Sequence, residues 1–333
     1  MTLPAVPFRR EKTCRLVVTT PPAVVTTVNA APSSGVSGLN QPPLRVAFDI
    51  TRTMNSEAGR GSVTVYGLNQ AKREILGSQV SRKYLSDIPG SEISRKLIDG
   101  IPIPHPTAVE LAIGQSYIVV QAGYDGLAGN ILEGAGAHVM SEQKGPNWET
   151  RFEIVDGQSA LEKATIASVH ELAVPVVDII DELRATMGLG IGNSLTGLPP
   201  NLLSAVFPNG IALEGKCRDW MDNLARMFGF QWWVDAGDMM IAKYDWATLQ
   251  SFPLIGEPAI PVPLIYDTPK RQFDGRIVFR APLDPAIRPG VLAAVGSTRA
   301  PGSYVVEAVQ FRGDTRGAVL DMILTCLAPL PLT

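Results

Sequence analysis

The stretch LRVAFDITRT, residues 44–53, decides the fold, because apolar and polar side chains alternate along it. Its apolar side chains, from Leu44 through Val46 and Phe48 to Ile50, fall on one face. The polar side chains expected mostly on the other face are Arg45, Asp49 and Arg52. A period of two indicates a strand that is buried on one side only.

Further strands are predicted on both sides of this stretch. Residues 62–68 (SVTVYGL), 115–124, 130–140 and 148–155 have strand composition, and turns are expected at Asp125-Gly126 and at residues 144–147. Residues 44–155 therefore predict an antiparallel sheet or a small barrel. Residues 15–28 are rich in Val and Thr but contain Pro21-Pro22, which indicates an extended strand or an arm. Residues 70–98 are polar and predict a short helix or an ordered loop.

The pattern changes after residue 157. Residues 158–170 predict a helix, and a second follows with Val176, Ile180, Leu183 and Met187 at helical spacing before Gly188. A third helix is predicted at residues 216–228, ended by Gly229. Alternation at 230–234 and 239–243 around a turn at 235–238 predicts a hairpin. This middle region is therefore of the α/β type.

A second β region is predicted near the C-terminus. Residues 252–269 are rich in proline and predict a linker or extended strap. Strands are then expected at residues 276–279, 290–295, 304–311 and 320–326. The predicted fold class is mainly β, with an α/β region flanked by or interleaved with two small β domains.

Composition narrows the function classes. Charged residues make up only 18% of the 333 residues, the net charge is −3, and no strong block of one sign occurs. This argues against a dedicated nucleic-acid binder. The low content of charged residues favours an oligomer in which part of the surface is buried between subunits, although one large monomer is an open alternative. Cys14, Cys217 and Cys326 form neither a disulfide framework nor a zinc pattern, so we expect a reducing compartment.

No membrane segment is expected. The basic N-terminus lacks the apolar core of a signal peptide. The uncharged runs at residues 16–44 and 185–213 are interrupted by Pro, Gly, Asn and Thr, which a membrane-spanning helix disfavours. We expect these runs to be surfaces buried between subunits.

Candidate catalytic and metal-binding groups do not form recognisable sites. His105, His138 and His170 lack metal spacing to another His or Cys. The glycines of residues 188–192 follow a helix, which indicates a hinge loop instead of a phosphate-binding loop. Ser194 is not in a nucleophile-elbow pattern. No catalytic, cofactor-binding or metal-binding residue is therefore predicted.

Other suggestive groups have simpler explanations. Asp178 with Asp181, and Asp219 with Asp222, are typical of solvated helix faces. The Arg312-Gly313-Asp314 tripeptide is expected in a turn between strands. The tryptophans that could stack on sugars or bases are Trp220, Trp232 and Trp233. Trp232 and Trp233 must face opposite sides of a strand, so one is expected to pack against Trp220 and the other to cover a subunit boundary.

Four segments together resemble the baseplate hub family of contractile phage tails and related injection systems. The first is residues 38–53 (GLNQPPLRVAFDITRT) followed by 62–69 (SVTVYGLN). The second is residues 119–134 (VVQAGYDGLAGNILEG), followed by 144–148 and Asp156-Gly157. The third is the helix and hairpin of residues 215–242, and the fourth is residues 275–326. The segments occur in the family's order.

The resemblance implies a particular organisation. Residues 1–40 would be an N-terminal arm, 41–157 a first tube-like β-barrel domain, 158–250 the α/β middle domain, and 251–333 a second β-barrel domain. Three subunits with two tube-like domains each would match a hexameric tail tube.

The same resemblance implies a function without enzyme activity or a cofactor. A homotrimeric ring would connect the tail tube, or a tube-adaptor protein, to the central spike, contact the baseplate wedge proteins, and pass DNA through its lumen without specific binding. The expected location is the tail baseplate of a virion, after synthesis in the host cytoplasm. Alternatives are a tail tube or tube-terminating protein and, in another class, a carbohydrate- or receptor-binding module.

Overall fold

A computed structural model describes residues 12–20, 24–29, 44–70, 73, 97–98, 101–102, 117–124, 128–171, 173–192, 200–243, 248–253, 269–295 and 300–327. The strands of the N-terminal β region are β1 (Lys12–Thr20), β2 (Val24–Asn29), β3 (Arg45–Thr53), β4 (Arg60–Tyr66), β5 (Leu97–Ile98), β6 (Ile101–Pro102), β7 (Tyr117–Tyr124), β8 (Gly129–Lys144) and β9 (Asn147–Val155). The strands of the C-terminal β region are β16 (Thr248–Pro253), β17 (Lys270–Arg271), β18 (Ile277–Pro282), β19 (Val291–Val295), β20 (Gly302–Asp314) and β21 (Leu320–Cys326).

The middle region lies between them. Its elements are α1 (Gln158–Lys163), β10 (Thr165–His170), β11 (Val174–Pro175), α2 (Val176–Thr186), α3 (Pro200–Leu203), β12 (Val206–Phe207), β13 (Ile211–Lys216), α4 (Cys217–Phe228), β14 (Phe230–Asp235) and β15 (Asp238–Lys243). The predicted class, mainly β with an α/β insert, is confirmed.

One continuous sheet joins the two β regions. Its strand order is β17-β18-β21-β20-β3-β4-β9-β8-β7-β1-β2, and β19 and β16 extend it beside β20. The regions meet where β3 pairs antiparallel with β20, from Ala308 opposite Thr53 to Asp314 opposite Ala47. Regular β-ladder hydrogen bonds therefore connect the two predicted β domains.

The same continuity holds in the core. A single cluster of buried apolar side chains includes Phe48 and Phe152 from the N-terminal β region together with Phe279 and Phe311 from the C-terminal one. Burial of this apolar surface is the main stabilising contribution to such a sheet. Whether residues 41–157 and 251–333 are separate domains stays a prediction.

The strand β3 follows the predicted alternation, with one correction. Val46, Phe48 and Ile50 are buried, and Arg45 and Asp49 are exposed. Arg52 is only 4% exposed, so its predicted place on the polar face is wrong. The physical reason is the period of two, because Arg52 is an even-numbered residue like Ile50 and shares its face.

The N-terminal stretch is built into the sheet. β1 pairs with β7 over Lys12 to Thr19, and β2 pairs with the other edge of β1. Cys14, Leu16 and Val18 are buried in the shared core. Of the two alternatives for residues 15–28, the structure shows strands at residues 15–20 and 24–28.

The first predicted helix of the middle region is only half correct. α1 ends at Lys163, because Ala164 is extended, with ψ of 122°. Residues 165–170 instead form β10, which pairs antiparallel with β13. The β-branched residues of this segment favour a strand once a partner strand is available.

The two later helices and their ends agree with the prediction. α2 buries Val176, Ile180 and Leu183. The φ of Gly188, directly after it, is 70°. α4 ends at Gly229, whose φ is 71° and whose N–H donates to the carbonyl of Ala225 at 2.9 Å. Glycine adopts this left-handed conformation without the steric cost of a Cβ.

The predicted hairpin is also present, as β14 and β15. Its turn places Ala236 at φ 57° and Gly237 at φ 79°, the pattern of a type I′ turn. The predictions for residues 71–72, 74–96, 125–126 and 254–268 lie outside the described residues.

Candidate functional site

The β14–β15 turn is anchored on the sheet by one buried carboxylate. Asp156, just after β9, accepts hydrogen bonds from the N–H of Ala236 at 2.8 Å and the N–H of Gly237 at 3.2 Å. Successive backbone N–H groups in such a turn form a favourable site for a negative charge. Burial raises the pKa of Asp156, while Arg52 and the two N–H groups oppose that shift. The turn is therefore connected directly to the N-terminal β region.

Two arginines hold the first residue of the same turn. Arg52, at the end of β3, forms an ion pair with Asp235, and both side chains are about 5% exposed. Arg288, between β18 and β19, places Nη1 3.4 Å from Oδ2 of Asp235. Arg52 also donates from Nη1 to the carbonyl of Ile131 at 3.3 Å. The N-terminal, middle and C-terminal regions of the chain thus meet at Asp235. We use the name junction for the buried charged group around it, which consists of Arg52, Glu133, Asp156, Asp235 and Arg288.

Burial destabilises the charged form of Arg52 in the junction. Burial lowers the pKa of Arg52 to about 10, and the positive charge of Arg288 acts in the same direction. Removing one partner of such a buried pair leaves an uncompensated charge and is more harmful than losing a surface salt bridge. The arrangement therefore stabilises one relative position of sheet and middle region.

Glu133 on β8 completes the junction. Its side chain is 6% exposed, and Oε2 has no hydrogen-bond partner within the described residues. Burial raises its pKa to about 8, the negative charge of Asp156 adds to this shift, and Arg52 opposes it. Glu133 is therefore protonated over much of the neutral pH range.

Sequence reasoning did not identify these junction residues. In the sequence, Asp156 contributes only to the Asp156-Gly157 pair of the family resemblance, and Asp235 only to the predicted hairpin turn. The one available signal was the position of Arg52 on the apolar side of an alternating strand. A charged side chain at such a position requires a buried partner.

The tryptophans lie in two different cores. Trp232 packs in the core of the middle region, and its Nε1 donates to Oδ1 of Asp222 at 2.8 Å. Trp233 is 0% exposed and packs with Val305 of β20 and with Met54, which directly follows β3. The predicted opposite orientation is confirmed. The expectation that one of them covers a subunit boundary is wrong, because Trp233 is already buried within the chain.

The histidines form no metal site in the described parts of the chain. Nε2 of His170 lies 2.6 Å from Oε2 of Glu182, which links β10 to α2. His138 is exposed, whereas His105 and Ser194 lie outside the described residues. Among those residues no group of three or more His, Cys, Asp or Glu side chains could hold a metal ion.

The glycine-rich loop packs on the hairpin turn. The N–H of Gly190 donates to the carbonyl of Gly237 at 2.9 Å, and the N–H of Met239 donates to the carbonyl of Gly190 at 3.0 Å. A Cβ at Gly192, whose φ is 50°, would collide with the carbonyl oxygen of Met239. The loop therefore needs glycine for close backbone approach, which is a structural role.

The paired aspartates have structural partners. Asp181 accepts a hydrogen bond from Nε of Arg184 at 2.8 Å, and Asp222 accepts from Trp232. Asp178 and Asp219 are exposed in the first turns of α2 and α4. These positions are favourable for acidic residues because of the helix dipole.

The Arg312-Gly313-Asp314 tripeptide forms the end of β20, so its predicted location in a turn is wrong. Pairing with β3 and β21 continues to this point and keeps the segment extended. Asp314 binds Arg45 at 2.6 Å, and Nε of Arg312 lies 3.4 Å from Asp321. Both charges therefore connect strands.

Within the described residues, no helix has the length and apolar composition needed to cross a membrane. No protein-family model and no curated protein matches the chain.

Several solved structures share the fold. A 43-kDa tail protein of prophage MuSo2 from Shewanella oneidensis has a TM-score of 0.55 and 9% identity, over 96% of this chain and 97% of that chain. A tail protein from Neisseria meningitidis MC58 has a TM-score of 0.52 and 9% identity, over 94% and 96% of the two chains. A component of the E. coli type VI secretion system, described as structurally similar to bacteriophage T4 tail proteins gp27 and gp5, has a TM-score of 0.51 and 10% identity, over 89% and 76%.

At this low identity the likeness concerns the fold, and it extends over nearly the whole chain. The chain therefore shares the fold of these phage tail proteins, which confirms at the level of structure the resemblance predicted from its sequence.

Proposed function

We propose that the chain is a structural baseplate hub subunit, which forms a trimeric ring between a hexameric tail tube and a trimeric central spike. The observation that carries the proposal is the continuous sheet, in which β3 and β20 join two β regions of one subunit. Three copies would present six such regions, which matches the symmetry of a hexameric tube. The fold shared with tail proteins supports the same assignment.

Two β regions in one chain favour a hub over a tail tube or tube-terminating protein, whose subunits usually have one. The burial of Trp232 and Trp233 removes two of the three tryptophans that suggested the carbohydrate-binding alternative, because neither ring has a free face on which a sugar could stack. The function we propose is mechanical, without a catalytic residue or cofactor.

The charges on the polar side of the sheet support a DNA channel. Arg45 pairs with Asp314, Arg276 with Glu307, and Arg280 with the buried Asp321. Apart from Arg276, which directly precedes β18, these side chains belong to strands whose alternate residues fill the core. Carboxylates that neutralise arginines weaken the attraction of the arginines for phosphate groups, so DNA would pass without being held.

The partners we propose are the tail tube or a tube-adaptor protein, the central spike and the baseplate wedge proteins. The location would be the tail baseplate of a virion, after synthesis in the bacterial cytoplasm.

The first test is the solution mass, combined with negative-stain imaging. We expect a threefold ring with three times the 35.7-kDa chain mass. A sixfold ring would favour the tail tube alternative, and a monomer at all concentrations would contradict the ring. Tight binding of a short DNA duplex at physiological salt would contradict the proposed channel.

A further inference from the structure

One hairpin, β14–β15, packs on the middle region and on the sheet at the same time. Trp232 and Ile241 on one face belong to the core of the middle region. Trp233 and Ala242 on the other face share a small apolar core with Val305 of β20. The hairpin therefore fixes the position of the middle region relative to the sheet.

Charged side chains from the sheet and its loops hold the turn of this hairpin. Asp156 accepts hydrogen bonds from two N–H groups of the turn, and Arg52 and Arg288 pair with Asp235. Arg52, Asp156 and Asp235 are each at most 5% exposed. Buried contacts of this kind are strong because little water screens the charges, but a charge without a counter-ion is equally costly there.

Glu133 is a surplus acid in the junction. The positive charges of the two arginines balance the negative charges of the two aspartates. Glu133 is 6% exposed, its Oε2 has no hydrogen-bond partner among the described residues, and its neighbour across the strand pair is the apolar Val119 on β7. An ionised Glu133 would be a buried negative charge without a counter-ion, so the observed arrangement requires its proton.

The groups that face Glu133 come from the sheet and from the hairpin itself. Burial and the negative charges of Asp156 and Asp238 raise the pKa of Glu133. The positive charges of Arg52 and Arg288 lower it. Asp238 is the first residue of β15, so a negative charge on Glu133 would repel the hairpin.

We propose that the proton of Glu133 is a latch between the sheet and the β14–β15 hairpin. While the proton is bound, Arg52 stays paired with Asp235 and the hairpin stays on the sheet. When the proton passes to solvent, Glu133 competes with Asp235 for Arg52, and the hairpin opens. All these groups belong to one chain, so the latch does not depend on the proposed ring.

The direction of the pH dependence follows from the two states. In the open state water reaches Glu133, whose pKa returns to its ordinary value of 4.5, whereas burial holds it at about 8 in the closed state. The closed state alone therefore keeps the proton between these values, and the open state gains population as the pH rises from 4.5 toward 8.

Thiol labelling tests the latch. Ala242, on the sheet side of the hairpin, is 4% exposed, and the native cysteines are all buried. Ala242→Cys is labelled in the wild-type background and in Glu133→Gln, which has no proton to lose. Comparison at equal pH cancels the pH-dependent reactivity of the thiol. We expect the ratio of the two labelling rates to rise about ten-fold per pH unit between pH 6 and pH 8.

The matched control is Ala281→Cys, because Ala281 on β18 is 0% exposed in the main core and reports unfolding of the whole chain. Opening of one hairpin exposes little surface, so Ala242→Cys should be labelled faster than Ala281→Cys and with little dependence on dilute urea. Equal rates and equal urea dependence at the two sites overturn the latch. Equal labelling of Ala242→Cys in both backgrounds at pH 8 overturns it as well.

Hydrogen exchange gives a second measurement without added cysteines. A peptide that covers the turn contains the N–H groups of Ala236 and Gly237, which bind Asp156 in the closed state. At pH 8 this peptide should exchange at least ten-fold faster in the wild type than in Glu133→Gln, and at pH 5 the difference should be small. Equal exchange at pH 8 overturns the proposal.

Discussion

At the scale of single residues, the junction predicts an unusual pH dependence through Glu133. Burial places the pKa of Glu133 at about 8 in the folded chain, instead of 4.5. Above pH 4.5 the unfolded chain loses this proton, whereas the folded chain keeps it up to about pH 8. Because only the folded state binds the proton in this range, the free energy of unfolding decreases as the pH rises from 4.5 toward 8. Glu133→Gln should match the wild type near pH 5 and exceed its free energy of unfolding by roughly 2–4 kcal/mol at pH 8. Urea denaturation at a series of pH values measures this difference.

The matched control is Glu153→Gln, because Glu153 is exposed on β9. This variant should follow the pH profile of the wild type. If Glu133→Gln also follows it, Glu133 is not the buried acid that the structure describes.

At the scale of elements, the β14–β15 turn predicts opposite effects at adjacent positions. Ala236 occupies a left-handed conformation, with φ of 57°, that asparagine tolerates better. Ala236→Asn should stabilise the protein by about 0.5–1 kcal/mol, since the N–H that binds Asp156 is retained. Gly237→Ala, at φ 79°, should destabilise it by about 1–2 kcal/mol although a Cβ would meet no atom within 4 Å. Thermal unfolding of both variants checks the signs, and equal signs would contradict the assigned turn.

At the scale of the whole molecule, the shared sheet and core predict that the two β regions unfold together. Phe311 is fully buried on β20, and Phe311→Ala should cost about 3–5 kcal/mol. We expect hydrogen exchange to accelerate in β4 as well as in β21, because both belong to one cooperative unit. Leu183→Ala, in the separate core of the middle region, is the control. If the hydrogen-exchange protection of β4 is unchanged in Phe311→Ala, the two β regions unfold independently.

Local sequence patterns predicted the secondary structure well, but they did not predict which charged residues form ion pairs. The alternation around Phe48, the end of α4 at Gly229 and the hairpin turn were all predicted, because each depends on residues close in sequence. The strand β10 was missed, since its partner β13 lies on the far side of α2. The junction was missed for the same reason, because Arg52, Asp235 and Arg288 come from three distant segments.

The sequence by itself determined the class of the fold, the resemblance to hub-type tail proteins, and the opposite orientation of Trp232 and Trp233. Periodicity and turn chemistry act over a few residues and can be recognised without a partner. Only the tertiary structure decided that β3 pairs with β20, that Arg52 is buried against Asp235, and that Trp233 packs on the sheet. Backbone hydrogen bonds are the same for every strand edge, so the choice of a distant partner depends on how all side chains fill one core.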